Sequence, residues 1–417
     1  MASWETVLVS GKSEGLAMTQ AGVIGQTFGM LSGRPKDLLV VQALHGTVIT
    51  VSDPAPLVIR SKTAEPSADE TYTGQWARRC GIFESSGFHK VTNTPELNAD
   101  NAWKRWAKRE ERSRVATALY IHDAEYSALF NTAPLLRHSV SKLPSLCSND
   151  LWEAPSAGEW KTVASQTPTA SNLSATRMPS PVGLDKPEPH QFRAYCELEG
   201  IAASISEARD LGTLPEASHD QVMALLQFQD RNAHPEIATD SDPFCLGILW
   251  HLTFISLFAD MNRLELCVGR DGYEQSQRHL DYARSWAQSQ DARRCVIHGV
   301  LILQKAETMA IGASPEIHVP RALFAAALVW YCYTEFGRDS LEDGPIRKTE
   351  APELKKLSIC SQNLLFEAHG FKHSRPTSLE SRIICRLHDL LIRIGHWEIS
   401  RKFASIIMCM VYGDTEG

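Results

Sequence analysis

Apolar positions recur at three- and four-residue intervals through most of the chain, and that spacing predicts helices. Near the N-terminus Leu16, Gln20, Val23, Ile24 and Phe28 follow it. Gly33 and Pro35 interrupt it within LSGRPKD; glycine accepts the turn and proline suits a first helical turn. The period resumes in KDLLVVQALHGTVIT, where Leu39, Ala43, Leu44 and Ile49 lie near one face. A longer helix is predicted over WKRWAKREERSRVATALYIHDAEYSALFN, residues 103–131. Trp103 and Trp106 are three apart and share a face, which Val115, Leu119, Tyr126 and Phe130 continue. A stripe of this kind packs inward, and burying the two indoles is worth about 2–3 kcal/mol each. Prolines then end helices in PLLRHSVSKLPSLCSNDLWEAPSAGEWKTV, where Ser148 or Asn149 is placed to cap a short DLWEA helix.

From Gln191 onward the period predicts helices near 191–209, 218–231, 243–268, 272–289, 292–311, 319–336, 352–368, 378–394 and 397–411. Strand-like alternation is scarce, no repeat recurs at a fixed spacing, and no heptad runs long enough for a coiled coil. The expected fold is all-α. Two stretches lack the helical period. Residues 51–75, VSDPAPLVIRSKTAEPSADETYTGQ, carry three prolines. Joining their flanks gives QALHGTVITWARRCGIF, one amphipathic pattern. The stretch opens with Val-Ser and closes with Gln, which an intron's donor and acceptor signals would encode. It is either a translated, unspliced intron or a surface loop. Residues 165–190 are rich in Ser, Thr and Pro and read as a linker. The expected organisation is an N-terminal region 1–164, the linker 165–190 and a C-terminal helical region 191–417.

Composition changes this picture at three points. The chain has 417 residues, 43% of them hydrophobic, enough for a sizeable core. Its net charge is −7, whereas a surface that binds DNA tightly carries a basic excess. Its ten cysteines include no Cys-x-x-Cys pair and several sit in apolar runs, a pattern of reduced, buried thiols. MASWETVLVSGKSEG lacks the basic-then-apolar order of a signal peptide. The most apolar run, PFCLGILWHLTFISLFAD at 243–260, is shorter than a typical span of about 20 residues and reads as a core helix, not a membrane helix.

Candidate chemistry is sparse. Gly11-Lys12-Ser13 resembles the tail of a phosphate loop, but Thr6 stands where the first glycine belongs. The glycines of TFGMLSG lack dinucleotide-binding spacing. His122, His251, His279, His298, His318, His369, His373, His388 and His396 are scattered; His369 and His373 are four apart, but Gly370 lies between them. No nucleophile elbow occurs, and nothing singles out one cysteine as half of a Cys-His pair. Asn172 begins a glycosylation sequon. Six basic residues fall between Lys104 and Arg114 beside Glu110 and Glu111. Glu110 with Arg114, and Lys108 with Glu111, have the spacing of helical ion pairs. The run could reach phosphates or serve as an import signal, but it reads first as the water-facing side of a packed helix. No catalytic, cofactor-binding or metal-ligating residue is assigned.

The stretch WKRWAKREERSRVATALYIHDAEYSALFNTAPLL, followed by LPSLCSNDLWEAPSAGEW, resembles the fungal-specific transcription factor regulatory domain of the xylanolytic-activator type. The matching positions are Trp103, Trp106, Glu110, Glu111, Arg112, Asp123, Phe130, Pro134, Pro144, Trp152, Glu153 and Trp160. QAGVIGQTFGMLSGRPKDLLVVQALHGTVIT and WARRCGIF also look like that family, and HVPRALFAAALVWYCY looks like the tails of members with Cys-Cys-His-His zinc fingers. The resemblance covers roughly residues 1–164. It implies a non-catalytic, all-α regulatory module of a nuclear transcription factor. It implies a homodimer or co-regulator as partner, contact with DNA only indirectly, and no membrane. Zinc is expected only in a DNA-binding domain that this sequence lacks. The alternative is a helical enzyme or an interaction scaffold unrelated to transcription.

Overall fold

The computed structural model describes residues 12–51, 96–136, 146–166, 191–232, 242–310, 312, 315–337, 349–362, 364, 377–395 and 397–412. Among these residues it is all-α, with no strand. The helices are α1 Lys12–Leu31, α2 Pro35–Val51, α3 Glu96–Phe130, α4 Asn149–Trp152, α5 Ala157–Gln166, α6 Gln191–Asp210, α7 Leu214–Asn232 and α8 Leu246–Phe258. They continue as α9 Met261–Cys267, α10 Tyr273–Ala287, α11 Gln290–Glu307, α12 Val319–Phe336, α13 Pro352–Lys356, α14 Thr377–Arg393 and α15 Glu398–Tyr412. Val51 closes α2, and residues 52–75 and 167–190 lie outside the described residues.

The chain divides into two compact units. One comprises Met1–Gly25, Leu44–His122 and Leu135–Glu197; the other comprises Gln26–Ala43, Asp123–Pro134 and Leu198–Gly417. The centre of the second is α8, α11 and α12. The apolar run expected to form a core helix does so: Leu249, Phe254 and Ile255 of α8 have no exposed surface. A helix that is apolar all round is buried all round. Among the described residues no helix is long and apolar enough to cross a membrane. Gly299 of α11 brings that helix close to α12, since a Cβ there would stand 3.5 Å from the Ala326 backbone.

Three expectations need correction. The helix expected over 243–268 is two helices, α8 and α9. Ala259 is extended, and Asp260 caps α9 by accepting from the Arg263 N–H at 3.1 Å. Local capping wins over a continuous apolar pattern there. The helix expected over 352–368 stops after Lys356. Leu357 carries on the helical backbone, but Ser358 turns left-handed at φ 56°, and the Ser361 hydroxyl exchanges hydrogen bonds with Thr349.

The third correction concerns the N-terminal helices. Ile24, Phe28, Leu39 and Leu44, which follow the helical spacing of an apolar face, are exposed. The packed side of α1 instead carries Thr19, Gln26, Gly29 and Met30, and that of α2 carries Val41 and His45. The reason is close approach: a Cβ at Gly22 would lie 3.2 Å from Val48 Cγ2, and one at Gly29 would lie 2.6 Å from Val41 Cγ2. Glycines let the helices approach, and Ile24, Phe28, Leu39 and Leu44 are turned out while Met30 and Val41 stay buried. Gly33 makes the turn between α1 and α2 at φ 61°, with Ile399 N only 3.0 Å from where a Cβ would sit.

Candidate functional site

In the first unit the indoles gather as the stripe in α3 requires. Trp103 and Trp106 are partly buried against Leu151, Ala154 and Trp160. Trp160 of α5 is 2% exposed, and its ring lies 5.4 Å from that of Trp106. Lys104, Arg105, Lys108 and Arg109 face water, as expected. Glu110 does not. It is buried, pairs with Arg114 at 3.1 Å and accepts the Cys147 backbone N–H at 3.1 Å. The Arg114 guanidinium also stands 4.8 Å from the centre of the Trp152 ring. The pair expected on a solvated face is therefore a buried brace that ties α3 to the strand-free segment leading into α4. Glu111 takes a hydrogen bond from Gln20 at 2.8 Å.

The second unit holds a cluster that the sequence does not announce. Glu125 on α3, Glu199 on α6 and His318 just before α12 are all buried, and their potential ligand atoms lie within 4.8 Å of one another. Arg321, in the first turn of α12, donates to Glu125 Oε1 at 2.7 Å. Burial alone would raise both carboxyls. At Glu125 the charge of Arg321 and a hydrogen bond from Glu199 outweigh it and hold that carboxyl below its ordinary value. At Glu199 burial and the neighbouring Glu125 charge act together and push it well above. The pair thus shares one proton, with Glu199 the acid and Glu125 the carboxylate. Burial lowers His318 to about 4 despite the Glu125 charge, so its imidazole is neutral near pH 7. The His318 Nε2–H donates to the Cys245 carbonyl at 3.2 Å. Beside the cluster is a small cleft of about 20 Å³, lined by Met30, Leu31, Glu125, Leu129, Pro320 and Arg321. It has room for one or two waters, not for an organic effector.

A second buried network crosses the same unit. His251 of α8 and His298 of α11 meet Nδ1 to Nδ1 at 2.9 Å, so one ring donates and the other accepts. His298 stacks on Phe254 with ring centres 4.6 Å apart. Its Nε2 lies 3.8 Å from Glu353, which Arg294 grips with both arms at 2.9 and 3.0 Å. Burial, reinforced by the neighbouring ring, holds His251 well below its ordinary value; burial also lowers His298, against the pull of Glu353.

Other sequence candidates find ordinary places. Lys12 and Ser13 open α1 as helix, not as a phosphate loop. His122 and Asp123 are buried, with the His122 ring 5.4 Å from that of His45. His369, His373 and Asn172 lie outside the described residues. The thiols of Cys147, Cys245 and Cys267 are pushed up by burial, to about 12, 11 and 11, which leaves them poor nucleophiles. Glu125 and Glu199 did leave a trace in the sequence: each is an acid four residues from apolar neighbours on a helix, Leu129 for one and Tyr195 for the other.

Residues 8–185 match the family described as fungal specific transcription factor domain. Similar proteins carry names of the same kind. "Transcription factor 1" of Elsinoe fawcettii is 30% identical over 84 residues, covering 20% of this chain and 9% of that protein. The "Nicotinate catabolism cluster-specific transcription factor" of Emericella nidulans is 24% identical over 237 residues, 56% of this chain and 24% of its own length. "Zinc finger protein klf1" of Schizosaccharomyces pombe is 31% identical over 68 residues, 16% of this chain and 9% of that protein. The matched stretch thus spans about a quarter or less of each of these relatives. No solved structure matches.

Proposed function

We propose, from the match of residues 8–185 to the fungal specific transcription factor domain, that the chain is the regulatory, non-catalytic module of a fungal transcription factor acting in the nucleus. Its helices form a platform that passes a ligand or partner signal to a zinc-type DNA-binding domain, attached or on a partner. Contact with DNA is then indirect, and a homodimer or a co-regulator is the protein partner. The observation that carries the reading is the Trp103–Trp106–Trp160 cluster. Three residues of the family resemblance, Trp103, Trp106 and Trp160, pack together with Leu151 and Ala154, while Lys104, Arg105, Lys108 and Arg109 of α3 stay in water. Stacked indoles turned toward solvent along that basic side would have supported a nucleic-acid groove instead. The alternative is a helical enzyme or an interaction scaffold unrelated to transcription; for an enzyme, Cys147, Cys245 and Cys267 are poor nucleophiles because burial pushes their thiols up.

The test is a reporter assay with the full chain fused to a heterologous DNA-binding domain. A change in transcription of several-fold, in one direction, is expected in at least one nutrient condition. Reporter output equal to that of the unfused DNA-binding domain under every condition would sink the reading.

A further inference from the structure

We propose that Glu125, Glu199 and His318 bind a single divalent transition-metal ion of the zinc class. The three side chains come from α3, α6 and the entry to α12, so no local spacing produces them. Their ligand atoms already lie within 4.8 Å of one another. Tetrahedral ligands at zinc distances stand about 3.3 Å apart, so each side chain closes by about an ångström or less. Once Glu199 releases its proton to solvent on binding, the donor set of two carboxylates and one imidazole is that of a three-ligand site with one position open to water.

An independent feature points to a guest. Glu199 is 1% exposed, and its Oε1 has no hydrogen-bond partner. A buried carboxyl oxygen without a partner costs free energy that a bound cation or a bridging group removes. The His318 Nε2–H is held by the Cys245 carbonyl at 3.2 Å, which leaves the ring's lone pair on Nδ1. Arg321 takes Glu125 Oε1, which orients that carboxylate. The cleft of about 20 Å³ against Glu125 and Arg321 suits the water that would complete the coordination. Among the described residues no cysteine belongs to this group, so the site differs from the cysteine-based zinc of a finger domain. A metal here ties three helices of the second unit together. It goes beyond the regulatory reading and stands or falls without it.

The experiment uses the full chain, treated with chelator, dialysed and titrated with Co2+ as the spectroscopic probe and Zn2+ by calorimetry. One ion per chain is expected, with visible d–d absorption and no thiolate-to-cobalt charge-transfer band. The melting temperature should rise by about 5 °C when free metal exceeds the dissociation constant a hundredfold. Glu199→Gln keeps the side-chain volume and its hydrogen-bonding atoms, and its far-ultraviolet circular dichroism should match the natural chain; it should bind at least tenfold more weakly and lose the rise in melting temperature. His318→Gln should do the same. No uptake by the natural chain overturns the proposal. So does equal uptake by Glu199→Gln, or a charge-transfer band that tracks binding and reports the exposed thiols of Cys360, Cys385 or Cys409 instead.

Discussion

A histidine buried in a helical core is neutral because the medium disfavours its charged form. His251 and His298 are both in that state, each held below 6.5 by burial. The unfolded chain takes up protons at these positions below about pH 6.5, and the folded chain does not until a lower pH. Their stabilising contribution is therefore full above the unfolded value and declines as pH falls toward the folded one. Each histidine gives a slope of about 1.4 kcal/mol per pH unit in that window. The expected outcome is a urea midpoint that drops between pH 7.5 and pH 5.5, with a shallower drop in His251→Gln. An unchanged slope in that variant would place the pH sensitivity elsewhere. Both histidines were visible in the sequence only as scattered residues. Their meeting at 2.9 Å depends on α8 lying against α11, which no local pattern reports.

At the level of elements, the helical period served well wherever one side of a helix meets a thick core. The helix expected over 319–336 is observed with those bounds as α12, and α6, α10, α14 and α15 lie within a few residues of expectation. It served poorly in α1 and α2, where glycines set the contact and Phe28 and Leu39 face outward. The α3–α4–α5 cluster is the element-scale counterpart of the tryptophan stripe. Trp160→Ala removes its most buried member and should destabilise the first unit by about 3–5 kcal/mol. Hydrogen exchange of α5 amides checks this: protection should fall by orders of magnitude there, with α8 and α11 unchanged. Protection lost evenly across both units would contradict the assignment of Trp160 to a separate core.

For the whole molecule the decisive quantities are charge and its placement. The chain carries −7, and the four exposed basic residues of α3 sit beside buried Glu110, which engages Arg114. Phosphate neutralisation dominates DNA affinity, and it weakens steeply with salt. The purified chain should therefore show no sequence-selective shift of duplex DNA at about 150 mM salt. A selective shift there would make α3 a DNA-binding surface and remove the indirect route proposed for this module.

The all-α class, most helix positions and the inward turn of the paired indoles follow from the chain's own spacing of apolar residues, because a helix repeats over a few neighbouring positions. The family resemblance came from particular residues, such as Trp103, Trp106, Trp152 and Trp160, and not from that spacing. What required the folded molecule were contacts between residues far apart in the chain: Glu110 drawn under Cys147, the paired imidazoles, and above all Glu125, Glu199 and His318 brought into one buried cluster. Those depend on how helices are stacked, a property of packed surfaces and close glycine contacts that periodicity along one helix does not contain.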